Sequence, residues 1–358
     1  MKDEKKRQIL VSGYGQGAGT ETESGNVKED QATISLYTMT DQLNFEEEIW
    51  KDTVIAPTFL CTYQDMCFGI REEGESGSVL CYQRKDDKYI LRDELSLEGG
   101  SLCHIVYQPV THTLYCSFYN TGHVAAVKVD QYHFSKVLSF FQIEPEETDG
   151  LTRAHCCALE PNGTSVFTTN IALDRIYIYE SEDGMLSANT FCEYVQLEKG
   201  IGPRHLKFHP ILNYLYLITE YSNEVLTFLY EKVNGEPKIK LLQRTTTLPD
   251  NFVGKSYGSS LDITKNGRFL YAANRGADTI AVFDINADGT LHKVQDASCG
   301  GEWPRHISLT RDDAGIMIAN QNSNDVVVLR VNENNGTLSE VVSKIPFSQP
   351  SYVEEIKV

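Results

Sequence analysis

The sequence predicts an all-β fold, a seven-bladed β-propeller made of four-stranded antiparallel blades. Three observations lead to this prediction: a repeated phrase of apolar strands, turn signals between the strands, and chain ends that complete one another. The phrase is clearest in three segments, 205–230, 261–285 and 307–331, and weaker copies begin at Phe59, Ile105 and Cys157. A repeat of about 45 to 55 residues is typical of propellers, in which each copy forms one blade.

The strands of each copy follow from their composition. Apolar runs of about four to seven residues, rich in Val, Ile, Tyr, Phe and Thr, predict three strands per copy. Turn sequences separate them, as at 161–163, 265–267, 288–289 and 334–336. A fourth and more polar strand ends each copy, as at 291–298 and 338–344, and its polarity predicts a half-exposed outermost strand.

The two chain ends are predicted to share one blade. Segment 350–356 resembles a first strand without successors, whereas the segments that begin at Ile9, Ala32 and Asn44 resemble second, third and fourth strands without a predecessor. Joining them closes the ring and leaves no exposed edge strand at the seam. The segment 16–31 is rich in Gly, Ser, Thr and Glu and predicts a mobile loop inside this blade. We therefore predict a single propeller domain over residues 1–358.

Composition excludes several classes of protein. No apolar run reaches the length of about 18 residues that a membrane span requires, and the charged N-terminus MKDEKKRQ lacks the apolar core of a signal peptide. The nine cysteines lie mostly inside apolar strands and lack zinc-type spacing, which predicts buried free thiols in a reducing compartment. We therefore predict a cytoplasmic protein with no membrane partner, no metal and no other cofactor.

The net charge of −18 weighs against nucleic acid as a partner, because phosphate backbones are bound by clustered Lys and Arg. Against this acidic background, any arginine that faces inward is informative, since an anionic ligand needs local positive charge. Composition does not determine the oligomeric state.

Three strings resemble the seven-bladed propeller lactonase family. They are GIGPRHLKFHP at 200–210, NGRFLYAANRGADTIAVF at 266–283, and WPRHISL with IANQNSNDVVVL from Trp303 onward. That family includes bacterial propeller-type 6-phosphogluconolactonases and fungal carboxy-cis,cis-muconate lactonising enzymes. The resemblance extends from Ile9 to Ile356 and is strongest after His155. It implies a propeller that acts on a lactone.

The resemblance also implies four catalytic residues. The family's PHPH-like, GPRH, VNE and SNRG motifs place them at His155, Arg204, Glu220 and Arg275. The sequence departs from the family at three places. Arg153 stands where a histidine is common, Cys156-Cys157 replaces a more usual small-polar and aliphatic pair, and Ser260 lies in the stretch where an acid is often found. These departures bear on which lactone is the substrate and on whether the site is catalytic.

The repeat places the same residues together. His155, Arg204 and Arg305 begin equivalent innermost strands, at a position shared with Thr58, Cys103, Ser259 and Ser351. Because the start of the first strand lies beside the end of the second, residues at second-strand ends should face the same channel mouth. This predicts a substrate-binding set of Arg305, Asn170, Asn274, Asn320, Gln321 and Glu72, next to Glu220 and Arg275. His205 and His306 follow the arginines and are predicted to point away from the channel.

The chemistry of this set suits a small anionic lactone. Arginine binds carboxylate or phosphate in a bidentate manner, histidine transfers protons near neutral pH, and arginine stabilises an oxyanion. The favoured function is lactone hydrolysis, most simply as a 6-phosphogluconolactonase of the pentose phosphate pathway. The alternatives are a carboxymuconate-type lactonising cycloisomerase and a non-catalytic binding platform. In the platform, His155 and the arginines would only join neighbouring blades.

Overall fold

The computed structural model describes residues 6–15, 33–145, 150–161, 163–187 and 193–357. Within these ranges every regular element is a β-strand, and the strands form seven antiparallel sheets. The predicted loop 16–31, Asn162 of one predicted turn, and Cys192 lie outside the described residues. The prediction of a seven-bladed all-β propeller is confirmed.

The strands follow the repeat in chain order. Blade 1 begins with β1 (Arg7–Gly13), β2 (Thr33–Met39) and β3 (Phe45–Thr53). Blade 2 contains β4 (Leu60–Tyr63), β5 (Met66–Glu72), β6 (Gly77–Lys85) and β7 (Lys88–Leu97). Blade 3 contains β8 (Leu102–Gln108), β9 (Thr113–Phe118), β10 (His123–Asp130) and β11 (His133–Gln142). Blade 4 contains β12 (Ala154–Leu159), β13 (Ser165–Asn170), β14 (Arg175–Glu182), β15 (Met185–Leu186) and β16 (Glu193–Gln196).

The remaining blades are regular. Blade 5 contains β17 (Pro203–Phe208), β18 (Tyr214–Thr219), β19 (Glu224–Val233) and β20 (Glu236–Thr246). Blade 6 contains β21 (Tyr257–Ile263), β22 (Phe269–Arg275), β23 (Thr279–Ile285) and β24 (Leu291–Ser298). Blade 7 contains β25 (Pro304–Leu309), β26 (Gly315–Asn320), β27 (Asp325–Val331) and β28 (Leu338–Pro346). The last strand, β29 (Pro350–Ile356), returns to blade 1.

The predicted joining of the chain ends is confirmed. Blade 1 has the strand order β29-β1-β2-β3, and β29 pairs antiparallel with β1, with Val353 opposite Val11. Blade 4 differs from the regular pattern, because its outermost position is shared by β15 and β16, which both pair with β14. A tight turn causes this division: Asp183 and Gly184 both have positive φ and fold β15 back onto the end of β14.

The core lies between the blades. The described residues form seven apolar clusters, and each cluster joins two neighbouring blades. Blade 1, for example, shares one cluster with blade 7 through Val353 and another with blade 2 through Tyr352 and Ile356. Since each blade buries its faces against its neighbours, closure of the ring gives every blade a partner on both faces.

Hydroxyl groups fix the starts of the innermost strands to neighbouring blades. Ser117 Oγ donates to the His155 carbonyl at 2.9 Å, and Thr169 Oγ1 donates to the Arg204 carbonyl at 2.8 Å. Ser351 Oγ donates to the Thr58 carbonyl at 2.9 Å. These bonds hold the strand starts around the channel in a defined geometry.

The chain enters most innermost strands through a left-handed residue. The residue two places before the predicted channel position has positive φ in five blades, at Ala56, Ser101, Gly202, Trp303 and Gln349. Gly202 requires glycine for a second reason, since a Cβ atom there would lie 2.6 Å from the Tyr221 ring. The left-handed residue redirects the backbone so that the following side chains face the channel.

The prediction that His205 and His306 point away from the channel was wrong. Both residues line the channel cavity together with Arg204 and Arg305. A register shift lies at this point of β17 and of β25, and it breaks the in–out alternation of an ordinary strand. Two consecutive side chains therefore face inward in each of these blades.

The eight cysteines within the described residues are free, and six of them are buried. None of the described segments forms a helix capable of crossing a membrane.

Candidate active site

The innermost strands bring the predicted positions together in one cavity. Six of the seven predicted start positions line it, and Phe59, His205 and His306 complete the lining. The six are Thr58, Cys103, His155, Arg204, Arg305 and Ser351. His155 therefore lies at the same end of the channel as the arginines, which is the arrangement that a joint site requires.

One carboxylate holds two buried arginines at this end. Glu220 Oε2 lies 3.2 Å from Arg204 Nε and 3.3 Å from Arg275 Nη2. The arginines are only 4% and 6% exposed. Arg204 also donates to the Ser259 carbonyl, and Arg275 donates to the Gly258 carbonyl at 3.0 Å. The cluster therefore carries one positive charge that no described side chain of the cluster balances.

Burial makes this excess charge costly. Desolvation, reinforced by repulsion from Arg275, lowers the pKa of Arg204 to about 9. Desolvation also lowers the pKa of Arg275, while Glu220 opposes that change. Both guanidinium groups remain protonated at neutral pH, but they are poorly hydrated. An incoming anion would therefore interact with them more strongly than with arginines in water.

His155 is buried and lines the same cavity as Arg204. Its pKa is well below the usual value, first because of burial and then because of the neighbouring charge of Arg204. Its ring lies 5.1 Å from that of His205 and 6.0 Å from that of Tyr119. Among the described residues its Nδ1 atom has no hydrogen-bond partner. Glu220 contacts the two arginines rather than His155, so it is placed to orient the arginines.

Arg305 belongs to a separate network that joins blades 7, 1 and 2. It donates to the Tyr14 hydroxyl, and its Nη1 lies 3.5 Å from Gln321 Oε1. Tyr14 in turn donates to Glu72 at 2.9 Å, and Thr58 donates to the same carboxylate oxygen at 2.6 Å. Burial opposes the charge of Arg305, but Tyr14, Glu72 and Glu220 together help to outweigh it, so the pKa of the guanidinium is raised.

Three residues of the predicted substrate-binding set do not reach the channel. Asn170, Asn274 and Asn320 are fully buried. Their amide groups donate to Thr152 Oγ1 at 2.8 Å, to the Thr247 carbonyl at 2.8 Å and to the Cys299 carbonyl at 3.1 Å. These bonds tie second-strand ends to the connections between blades. The prediction that these three asparagines contact substrate is corrected accordingly, and Glu72, Gln321 and Arg305 remain at the channel.

Sequence reasoning did not identify the aromatic residues around the arginines. They come from five blades and comprise Tyr14, Tyr119, Tyr221, Tyr257 and Trp303. The Arg275 guanidinium lies 5.9 Å from the ring centre of Tyr257 and 5.6 Å from that of Trp303. Arg153 donates to the Tyr119 hydroxyl at 3.2 Å. The available signal was position, because each aromatic residue lies at or next to a predicted strand end.

The described residues contain no group of three or more His, Cys, Asp or Glu side chains suited to a metal ion.

Comparison with known proteins gives a consistent result. The family model described as "Lactonase, 7-bladed beta-propeller" matches residues 16–355. The 6-phosphogluconolactonase of Bacillus subtilis (strain 168) is 28% identical over 307 residues, which cover 83% of this chain and 86% of that protein. A periplasmic gluconolactonase of Pseudomonas aeruginosa has a TM-score of 0.87 at 21% identity and covers 99% of both chains. A Lactobacillus plantarum protein has a TM-score of 0.85 at 23% identity, covering 98% of this chain and 100% of its own.

Proposed function

Because this chain belongs to the seven-bladed β-propeller lactonase family, we propose that it hydrolyses the lactone of a small anionic sugar acid, with 6-phosphogluconolactone as the preferred substrate. The observation that supports this most directly is the buried Arg204–Glu220–Arg275 cluster, which carries excess positive charge in a protein of net charge −18. The name of the Bacillus subtilis relative points to the same reaction.

The proposal divides the substrate between the two arginine networks. Arg305 binds the phosphate, because its guanidinium is oriented by Tyr14 and Gln321 and matches an anion in a bidentate manner. Arg204 and Arg275 face the lactone carbonyl oxygen and stabilise the charge that develops on it. Their low exposure favours this role, since such electrostatic stabilisation is strongest where water is excluded.

His155 is assigned the proton transfer. As water adds to the carbonyl carbon, one of its protons passes to the neutral imidazole. Collapse of the tetrahedral intermediate breaks the bond between the carbonyl carbon and the ring oxygen, and that oxygen receives the proton and becomes a hydroxyl group. The product is the open-chain acid. The substrate's negative charge offsets the field of the arginines and should raise the pKa of His155 when the complex forms.

We also propose that the whole chain, residues 1–358, acts as one domain in the cytoplasm. The free cysteines among the described residues support a reducing compartment.

A lactone panel tests the reaction. We expect hydrolysis of 6-phosphogluconolactone well above its spontaneous rate, slower hydrolysis of unphosphorylated gluconolactone, and no cyclisation of a carboxymuconate. The measurement is acid release at constant pH, with and without excess chelator, and the chelator is expected to have no effect. Failure to accelerate hydrolysis of any lactone would favour the binding platform. Activity lost with chelator and restored by a divalent metal would contradict metal independence.

The low pKa of His155 predicts an unusual pH profile. A lowered pKa means that the neutral form persists in more acidic solution, so kcat/KM for unphosphorylated gluconolactone, which has no titrating group in this range, should stay flat from pH 8 down to about pH 6. A histidine of ordinary pKa, about 6.5, would lose about three quarters of its basic form between pH 8 and pH 6. Replacing His155 with alanine should lower kcat by about 10² to 10⁴.

His104 provides the matched control. It is another buried channel histidine, whose pKa burial lowers to about 3, and its Nδ1 accepts a hydrogen bond from the Cys157 backbone at 3.4 Å. Asparagine reproduces that acceptor, so His104→Asn should retain kcat within about threefold of the wild-type value. Equal losses in the two variants would assign His155 a packing role.

A further inference from the structure

Trp303 has a backbone conformation that is unfavourable for a bulky residue. Its φ is 64°, in the left-handed region where side chains with a Cβ atom are strained. The equivalent residue of blade 5 is Gly202, with φ 66°, which adopts this conformation without a Cβ clash. Ala56, Ser101 and Gln349 occupy the same left-handed position in blades 2, 3 and 1, so blade 7 is distinguished by carrying the largest side chain there.

The neighbouring residues maintain this conformation. The Trp303 backbone N–H donates to Asp278 Oδ1 at 2.8 Å, and its carbonyl accepts from the Gln321 backbone N–H at 3.0 Å. The left-handed conformation recurs in other blades, so it is the large aromatic side chain held beside Arg275 that indicates a role for Trp303. The result is a fixed indole ring, 6.0 Å from the Tyr257 ring and 5.6 Å from the Arg275 guanidinium.

We propose that Trp303, with Tyr257 beside it, is the wall on which the lactone ring of the substrate stacks. This inference rests on the proposed lactonase function and specifies what the site recognises: a cyclic ester with an apolar face and an attached anion. Aromatic rings pack well against the C–H face of a sugar ring, and the indole offers the largest such surface. Trp303 is thereby a specificity-determining residue for the ring.

The position of Trp303 links ring and anion recognition. Arg305 follows Trp303 by two residues at the start of β25, and Arg275 lies against the indole. A ring stacked on Trp303 would therefore place its carbonyl near Arg275 and Arg204, while the substituent anion reaches Arg305. An open-chain anion of the same charge could contact the arginines but would gain little from the wall. The site should accordingly prefer cyclic over open-chain anions.

Replacing Trp303 with glycine separates the side chain from the backbone strain. Glycine adopts positive φ readily, so the melting temperature of Trp303→Gly should stay within about 3 °C of the wild-type value. Loss of the stacking surface should lower kcat/KM for the phosphorylated lactone by about 10- to 100-fold, mainly through KM. Trp303→Phe should restore part of this loss. Gln349→Gly, at the equivalent left-handed position of blade 1, is the matched control and should leave kinetics unchanged.

Direct binding distinguishes this inference from the proposed reaction. The chain has two tryptophans, Trp50 and Trp303, so Trp50→Phe leaves Trp303 as the single tryptophan, whose emission is read by selective excitation. A phosphorylated sugar lactam, a ring that resists hydrolysis, should change the emission of Trp303, whereas inorganic phosphate should not. A response to the lactam without turnover of any lactone would support ring stacking on Trp303 and refute the proposed hydrolysis. An emission change of equal size with inorganic phosphate, or wild-type kinetics for Trp303→Gly, would refute ring stacking on Trp303.

Discussion

Replacing Arg204 with alanine is expected to lower kcat by about 10²- to 10³-fold and to raise KM, while the propeller remains folded. The loss in kcat follows from removing a buried donor at the developing oxyanion. The fold should tolerate the change because Glu220 still contacts Arg275, which leaves one carboxylate paired with one guanidinium. Steady-state kinetics together with the melting temperature measure the two effects separately.

The companion variants test whether the three residues act as one cluster. Arg204→Lys should recover only part of the activity, because a point charge cannot reproduce a planar, bidentate guanidinium. Glu220→Ala should be more damaging to stability than Arg204→Ala, since it leaves two buried guanidinium groups without their shared carboxylate. Glu220→Gln keeps an oxygen acceptor and should cost less than Glu220→Ala. A melting temperature of Glu220→Ala equal to that of wild type would contradict the cluster.

The fold could be predicted from the sequence because the order and spacing of apolar strand segments reveal both the repeat and the closure of the ring. The pairing of Val353 with Val11 follows from a first strand at one end of the chain and a second strand at the other. The convergence of His155, Arg204 and Arg305 could be predicted for the same reason. Equivalent positions of a repeat around one axis must lie near one another, whatever the side chains are.

The remaining features depend on local geometry that the repeat does not encode. The register shifts that turn His205 and His306 into the channel are single-residue irregularities, which a pattern of period two cannot show. Strand ends are expected to face the channel, yet the amides of Asn170, Asn274 and Asn320 bond to the connections between blades. The position of the Trp303 side chain depends on a positive φ. Glycine adopts positive φ far more readily than tryptophan, so the residue type gives no sign of this conformation.

Deleting residues 350–358 is expected to abolish cooperative folding rather than fray one end. The deletion removes β29, the innermost strand of blade 1, and leaves the inner edge of β1 without its hydrogen-bond partners. It also removes Tyr352, Val353 and Ile356, which are at most 5% exposed and complete the clusters on both sides of the blade. Burial of three such side chains contributes about 6 kcal/mol, a large part of the stability of a typical domain.

The control for this deletion is a chain that ends after Ile356, which retains β29 and should melt at the wild-type temperature. Circular dichroism on heating and limited proteolysis report the difference, because an open ring exposes several interfaces at once. Adding a synthetic peptide of residues 350–358 should restore protease resistance to the truncated chain if pairing with β1 is what closes the ring. An unchanged melting temperature for the truncated chain would show that the other interfaces hold the propeller without its seam, and that the closure contributes less than the seven shared cores imply.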